Sequence, residues 1–400
     1  MTVNADGSAD SAQVMPDGSR RTTPRPIPRF RIGLAAALVA GAMFVFFLMG
    51  SNRGAPIVWE AIEPPAGVVN MESLIVTPDG FSVLSQPGEQ GVTLWSSVDG
   101  RDWSANSLPG APFRVVVAGD QLIGFRGSSA TLLSREAGVW NETASFDLPE
   151  PVRIGYGSGR SGLVAAGDYF LPLTLTGDVY WSEDGSSFEL VVAEPAWGVE
   201  IGMPTRRDCQ PPVAVSLDVP PVVATPEGFF ALVSRQALDP FGVWPVCEPE
   251  VWSSADGLRW TPITEEPPFG PGAYVYDIDW RAGRWVAIGG VAFTEPAVWV
   301  SDDAQTWRRI PFSGADEPVE LRSVEAGDLG WVLLGELADR PGLLGWVSRD
   351  GECWELLPKE VQGRVAAVGT DRLLIADRIG FLEPWLGVVE GGVLAVRCQG

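Results

Sequence analysis

The sequence predicts an all-β fold: a seven-bladed β-propeller of four-stranded blades, preceded by one transmembrane helix. Three observations point there. Five stretches repeat the pattern aromatic-x-Ser-x-Asp-[Gly/Ala]-x-x-aromatic: Trp95 to Trp103, Tyr180 to Phe188, Trp252 to Trp260, Trp299 to Trp307 and Trp346 to Trp354. Self-similarity at a fixed period is the mark of a repeat architecture. Between these boxes, short runs of alternating Val, Leu, Ile and aromatic residues are bounded by Gly, Asp and Pro, as strands joined by tight turns are. Near the N-terminus, 19 consecutive residues carry no charge.

Taken in order, residues 1–31 are rich in Gly, Ser, Pro and Thr and nearly free of large apolar side chains, which predicts a disordered tail. Residues 32–50 (IGLAAALVAGAMFVFFLMG) have about the length that spans hydrocarbon. Their Ile, Leu, Val and Phe residues contribute roughly −3 to −5 kcal/mol toward insertion. A cleaved signal peptide would have a shorter apolar run followed by an A-x-A-like site. Here Ser51-Asn52-Arg53-Gly54-Ala55-Pro56 follows, so an uncleaved anchor is expected. Arg20, Arg21, Arg25, Arg29 and Arg31 precede the span and Arg53 alone follows closely, which puts the N-terminus in the cytoplasm and residues 51–400 outside, as a single-pass protein of the cell membrane.

The tail takes five Arg and three acids, leaving 23 basic and 48 acidic residues in 51–400, a net charge of about −25. That excludes nucleic acid and anionic membrane surfaces as partners. A single Lys (Lys359) among 28 basic residues reads as the Arg bias of GC-rich bacterial coding. The four cysteines, Cys209, Cys247, Cys353 and Cys398, all fall in the outside portion and form no C-x-x-C pair, which points to two disulfides rather than zinc. Of three pairings, Cys209–Cys247 and Cys353–Cys398 each close a loop of roughly 40 residues, worth about 3–4 kcal/mol in the chain-entropy account.

Two degenerate boxes, Ser134 to Trp140 and Val388 to Leu394, raise the count to seven, with the acid at 99, 136, 184, 256, 303, 350 and 390. These intervals suit four-stranded units, apart from the longest, which carries extra residues around Cys209 and Cys247. The segment Trp59 to Pro65 (WEAIEPP) resembles Trp260 to Pro268 (WTPITEEPP), the strand that follows a box. It is therefore expected to pair with residues 386–397 and close the ring.

The box has a physical logic. Asp and Ser oxygens accept backbone N–H groups of a turn, Gly permits a left-handed backbone angle, and flanking aromatics pack on the turn. On these residues the chain resembles the Asp-box, or BNR-repeat, propellers, a group that includes sialidases and many bacterial surface proteins. The usual box of that family, S-x-D-x-G-x-T-W, is one residue longer than S97-V-D-G-R-D-W103. The resemblance implies a structural role for Asp99, Asp184, Asp256, Asp303 and Asp350. One Asp per turn, dozens of residues apart, does not make a Ca²⁺ site. Ten of the 17 Trp lie in boxes, where repeat-position Trp is core.

The chain contains no His, which excludes Ser-His-Asp and Cys-His catalysis and His-ligated metals. No phosphate or dinucleotide fingerprint is present, so no cofactor and no metal are expected. Carboxylate or Tyr-nucleophile glycosidase chemistry stays open. Sialidases, which the resemblance brings in, hold substrate with an Arg of an F-R-I-P motif. Here Phe30-Arg31-Ile32 is followed by Gly33 at the membrane boundary, and Arg309-Ile310-Pro311 follows a box. Aligning the units on their turns places Arg114, Arg153, Arg322 and Arg364 at one position, the start of the first strand, with Glu72 and Tyr276 there in two other units. First strands line a propeller's channel, so these guanidinium groups either form an anion site or pair with carboxylates of the next blade. The expectation is a non-catalytic binding or assembly module for a protein or glycan ligand, the alternative a sialidase-like or other glycan-processing hydrolase.

Overall fold

The computed structural model describes residues 54–64, 71–77, 80–88, 91–107, 114–118, 121–126, 129–136, 139–147, 163–166, 169–172, 179–181, 189–191, 222–238, 245–255, 260–263, 268–292, 295–312, 317–338, 342–376 and 384–396. Within them the protein is built almost wholly of antiparallel strands. The first strand, β1 (Ile57–Ala61), belongs to the last sheet. The chain then lays down a four-stranded meander, β2 (Met71–Thr77), β3 (Gly80–Gly88), β4 (Gly91–Ser97) and β5 (Ser104–Ser107). A second follows: β6 (Arg114–Ala118), β7 (Gln121–Arg126), β8 (Ser129–Glu136) and β9 (Val139–Asp147). Two hairpins come next, β10 (Leu163–Ala166) with β11 (Tyr169–Pro172) and β12 (Val179–Trp181) with β13 (Glu189–Val191).

Three more units complete the series. The first is β14 (Val222–Thr225), β15 (Gly228–Leu238), β16 (Pro245–Ser254) and β17 (Thr261–Pro262). The second is β18 (Ala273–Arg281), β19 (Arg284–Val291), β20 (Glu295–Ser301) and β21 (Arg308–Ile310). The third is β22 (Val319–Gly327), β23 (Gly330–Leu337), β24 (Leu343–Ser348) and β25 (Glu355–Leu356). The final sheet joins β26 (Val365–Val368), β27 (Arg372–Ala376) and β28 (Trp385–Val389) to β1 as its outermost strand, with Ile57 opposite Val389 and Ala61 opposite Trp385. The pairing expected of the WEAIEPP segment is thus seen. It is reinforced where Ala55 bridges Leu394 in parallel, through Ala55 N–H to Val393 O at 2.8 Å and Ala395 N–H to Ala55 O at 3.0 Å.

Why the sheets stack is visible in their alternation, since successive strand residues face opposite sides. On β19, Trp285 and Ala287 join the core shared with β14–β17, while Val286 and Ile288 join the core shared with β22–β25. Leu329, Val332 and Leu334 pack with Ala366, Leu373 and Ile375 of the last sheet. Val365, Leu374 and Leu386 of that sheet pack on Leu74, Phe81 and Val83 of the first. First strands are neighbours in cyclic order: β2, β6, β10, β14, β18, β22, β26 and back to β2.

Among the described residues no helix is long and apolar enough to cross a membrane, and the span expected at 32–50 lies outside them. Cys353 is disulfide-bonded and Cys247 lies on β16, while Cys209 and Cys398 lie outside the described residues.

Candidate site at the channel mouth

The position singled out at the start of each first strand has a structural definition. The ladder slips by one residue between Met71 and Ser73, between Val275 and Asp277, and between Leu321 and Ser323. The extra residues are Glu72, Tyr276 and Arg322, each at a β-bulge in the ladder. Arg364 precedes β26, with its N–H on Ala376 O at 2.9 Å although Val365 is the ladder partner of Ala376. Arg114 opens β6 opposite Phe125 in continuous register. Arg153 lies outside the described residues.

Two of these guanidinium groups meet. Arg322 Nη2 donates to Glu320 Oε2 at 2.5 Å and lies 3.3 Å from Glu336 Oε2. Glu336 Oε1 accepts from Arg364 Nε of the next sheet at 3.1 Å. Glu320, Arg322, Glu336 and Arg364 therefore form one chain of alternating charge, with side chains 20%, 24%, 33% and 41% exposed. Arg364 thus pairs with a carboxylate of the neighbouring sheet, whereas both carboxylates on Arg322 belong to its own sheet. Tyr274 and Tyr276 lie against it, their rings 5.1 Å apart in edge contact. Burial raises both phenol pKa values, with Glu320 adding to the rise and Arg322 opposing it, so both hydroxyls keep their protons and can donate.

The boxes sit at the opposite end of the sheets, where β4, β20 and β24 end. Asp99 Oδ1 accepts the N–H groups of Arg101 at 2.9 Å and Asp102 at 3.0 Å, while Ser97 Oγ accepts that of Gly100 at 2.8 Å. Asp303 takes Gln305 at 2.9 Å and Thr306 at 2.7 Å; Asp350 takes Glu352 at 2.8 Å and Cys353 at 3.0 Å. In the latter two boxes the second Trp also closes the turn, Trp307 Nε1 on Ala304 O at 2.8 Å and Trp354 Nε1 on Gly351 O at 3.0 Å. The backbone N–H groups of Asp102 and Thr306 are the largest influence lowering the Asp99 and Asp303 pKa values. Asp184 and Asp256 lie outside the described residues. No group of His, Cys, Asp or Glu suited to a metal occurs among the described residues.

With this geometry in hand, similarity to known proteins is limited to fold. No protein-family profile matches the sequence, and no curated protein does. Among solved structures, the GH74 xyloglucanase from Xanthomonas campestris matches with TM-score 0.55 and 15% identity, over 81% of this chain and 53% of that one. The chain thus spans about half the xyloglucanase's length. YCF48 bound to D1 peptide matches with TM-score 0.49 and 16% identity over 84% and 99%, and the WD40 domain of Toxoplasma gondii coronin with 0.47 and 9% over 86% and 90%. The fold is a β-propeller.

Within the propeller, one arrangement escaped sequence reasoning. Asp277, wholly buried on the inner strand β18, accepts the N–H of Ile278 at 2.9 Å and that of Val324 on β22 at 3.1 Å. Asp279 accepts Trp280 N–H and Ala326 N–H, both at 2.7 Å. An innermost strand has no further strand to satisfy its edge N–H groups, and these carboxylates stand in for one. The signal was an acid at alternate positions in an otherwise apolar strand, Y276-D-I-D-W280.

Proposed function

We propose that the chain is a single-pass, membrane-anchored surface protein whose residues 51–400 form an extracytoplasmic, seven-bladed propeller of the Asp-box kind. It acts as a non-catalytic module that binds or assembles a protein or glycan partner. The blade count rests on the cyclic order of the first strands, with the β10–β13 hairpins as the third blade. The binding role rests on one observation: the partly exposed Glu320–Arg322–Glu336–Arg364 chain runs across the seam of two sheets, at the end away from the structural boxes. Propellers bind at one end of the ring, but fold does not name the ligand. The described chain enters the domain with Ala55 beside Leu394, at the box end. The disulfides proposed with this reading are Cys209–Cys247 and Cys353–Cys398, which mass mapping after partial reduction checks.

The test is topology and capture on the full chain in bacterial cells. Protease added outside should digest residues beyond 51 while a tag on the N-terminus survives in the membrane fraction. Crosslinking in the same cells should then attach a partner to the Arg-bearing end. Recovery of intact chain from the soluble fraction, or a protected propeller, would overturn the reading.

A further inference from the structure

The paired charges at the mouth do more than neutralise one another. Each guanidinium of the chain already has a carboxylate within 3.3 Å, so neither an anion nor a cation gains an unmatched partner there. What the site offers is hydrogen bonding with no net charge. Carboxylates accept, guanidinium N–H groups and two neutral phenols donate, and the Tyr274 ring gives a half-buried apolar edge. Part of this capacity is unspent: Arg322 Nε and the hydroxyl of Ser323, a residue 2% exposed, have no hydrogen-bond partner among the described residues. Buried polar atoms are nearly always satisfied, so such a pair at a bulge marks a place where a water or a ligand hydroxyl completes the network.

Alternating donors and acceptors of balanced charge beside aromatic rings match the hydroxyls of a sugar, each of which both donates and accepts. We propose that the seam formed by Tyr274, Tyr276, Glu320, Arg322, Glu336 and Arg364 is a binding site for a neutral carbohydrate. This deepens the binding-module reading and rests on it. Glu336 sets the charge class, because it alone holds a guanidinium on each side of the seam.

The test titrates the purified full chain in detergent with cellotetraose, xylotetraose and N-acetylchitotetraose, and with sialyllactose and inorganic phosphate as anionic probes. At least one neutral oligosaccharide should bind with an affinity that does not change between low and high salt. Glu336→Gln should weaken it about tenfold or more, the loss of a charged hydrogen-bond partner. The same variant takes the paired charge from the Arg364 guanidinium and leaves Arg322 with Glu320 alone, and should acquire phosphate binding that salt screens. Tyr274→Ala should weaken sugar binding without creating phosphate binding. Should Glu336→Gln fail to fold, Arg364→Gln tests the other side of the same pair and should also weaken the sugar. The inference is overturned if no neutral oligosaccharide binds at about 10 mM, if the wild type prefers an anionic probe, or if these variants leave sugar affinity unchanged. Crosslinking to a protein partner without sugar binding would overturn it while leaving the binding-module reading intact.

Discussion

Asp99 and Asp303 each hold two backbone N–H groups of their own turn, a role that needs a carboxylate oxygen and nothing from the rest of the molecule. Replacing either by Ala strands these donors and should cost about 1 kcal/mol, read from denaturant unfolding. Their folded pKa values are depressed, so their contribution is present above the unfolded carboxylate pKa and is lost as pH falls through the folded values. Stability should therefore decline below about pH 4, and an Asp99→Asn, Asp303→Asn double variant should show a shallower decline from a lower start. The residue after the acid makes a second test. Gly100 and Gly351 have φ of 76° and 79°, and Ala304 adopts 58° at the equivalent place. A Cβ on Gly351 would lie 2.7 Å from Val286 Cγ2 of the preceding sheet, whereas Ala304 is wholly buried within the core shared with that sheet's counterpart. Gly351→Ala should destabilise by about 2 kcal/mol through left-handed strain and overpacking. Ala304→Gly should be near neutral, since relief of strain of about 1 kcal/mol offsets a lost methyl of about 0.8 kcal/mol.

At the scale of strands and sheets, the Asp277 carboxylate joins β18 to β22 across a seam that is otherwise apolar. Asp277→Ala leaves the N–H groups of Ile278 and Val324 unpaired in the interior and should cost about 3 kcal/mol, measured as a lower denaturant midpoint. Asp277→Asn should cost nearly as much, because one acceptor becomes an N–H donor facing a backbone N–H. The boxes were legible because everything they bond lies within three residues. Asp277 and Asp279 were not, because their partners Val324 and Ala326 lie 47 residues away on another sheet. The mouth falls between these cases. Alignment on turns brought Glu72, Tyr276 and Arg322 to one position, yet no single-strand pattern shows that position to be a bulge. Nor does it show that Glu336, on a second strand, will sit between two arginines.

For the whole molecule, closure depends on a strand drawn from the N-terminal side. Deleting residues 54–61, so that residue 53 joins residue 62, exposes the edge of β28 and removes Ile57 and Trp59 from the core they pack against. The full chain should then melt at lower temperature over a broader range and bind hydrophobic dye, and faster proteolysis should begin in the last sheet. A melting curve unchanged by the deletion would show that β1 is dispensable for closure. The Arg101–Glu60 pair, 2.6 Å between the first box and β1, links the ends of the ring across the same junction.

Local pattern was enough to specify strands, turns, box chemistry and the order of repeating units, because those depend on residues a few positions apart. The identity of β1 as the outer strand of the last sheet was also legible, since WEAIEPP copies another unit's outer strand. Which side chains meet was settled by sheet packing. Arg322 and Arg364 read as two of four candidates for an anion; Glu320 on the same strand and Glu336 on the adjoining one pair with Arg322, and stacking of the last sheet brings Arg364 to Glu336, which balances the charge of this seam. Electrostatic character belongs to the assembled seam, because a charge's partner is set by distance in space and not by spacing along the chain.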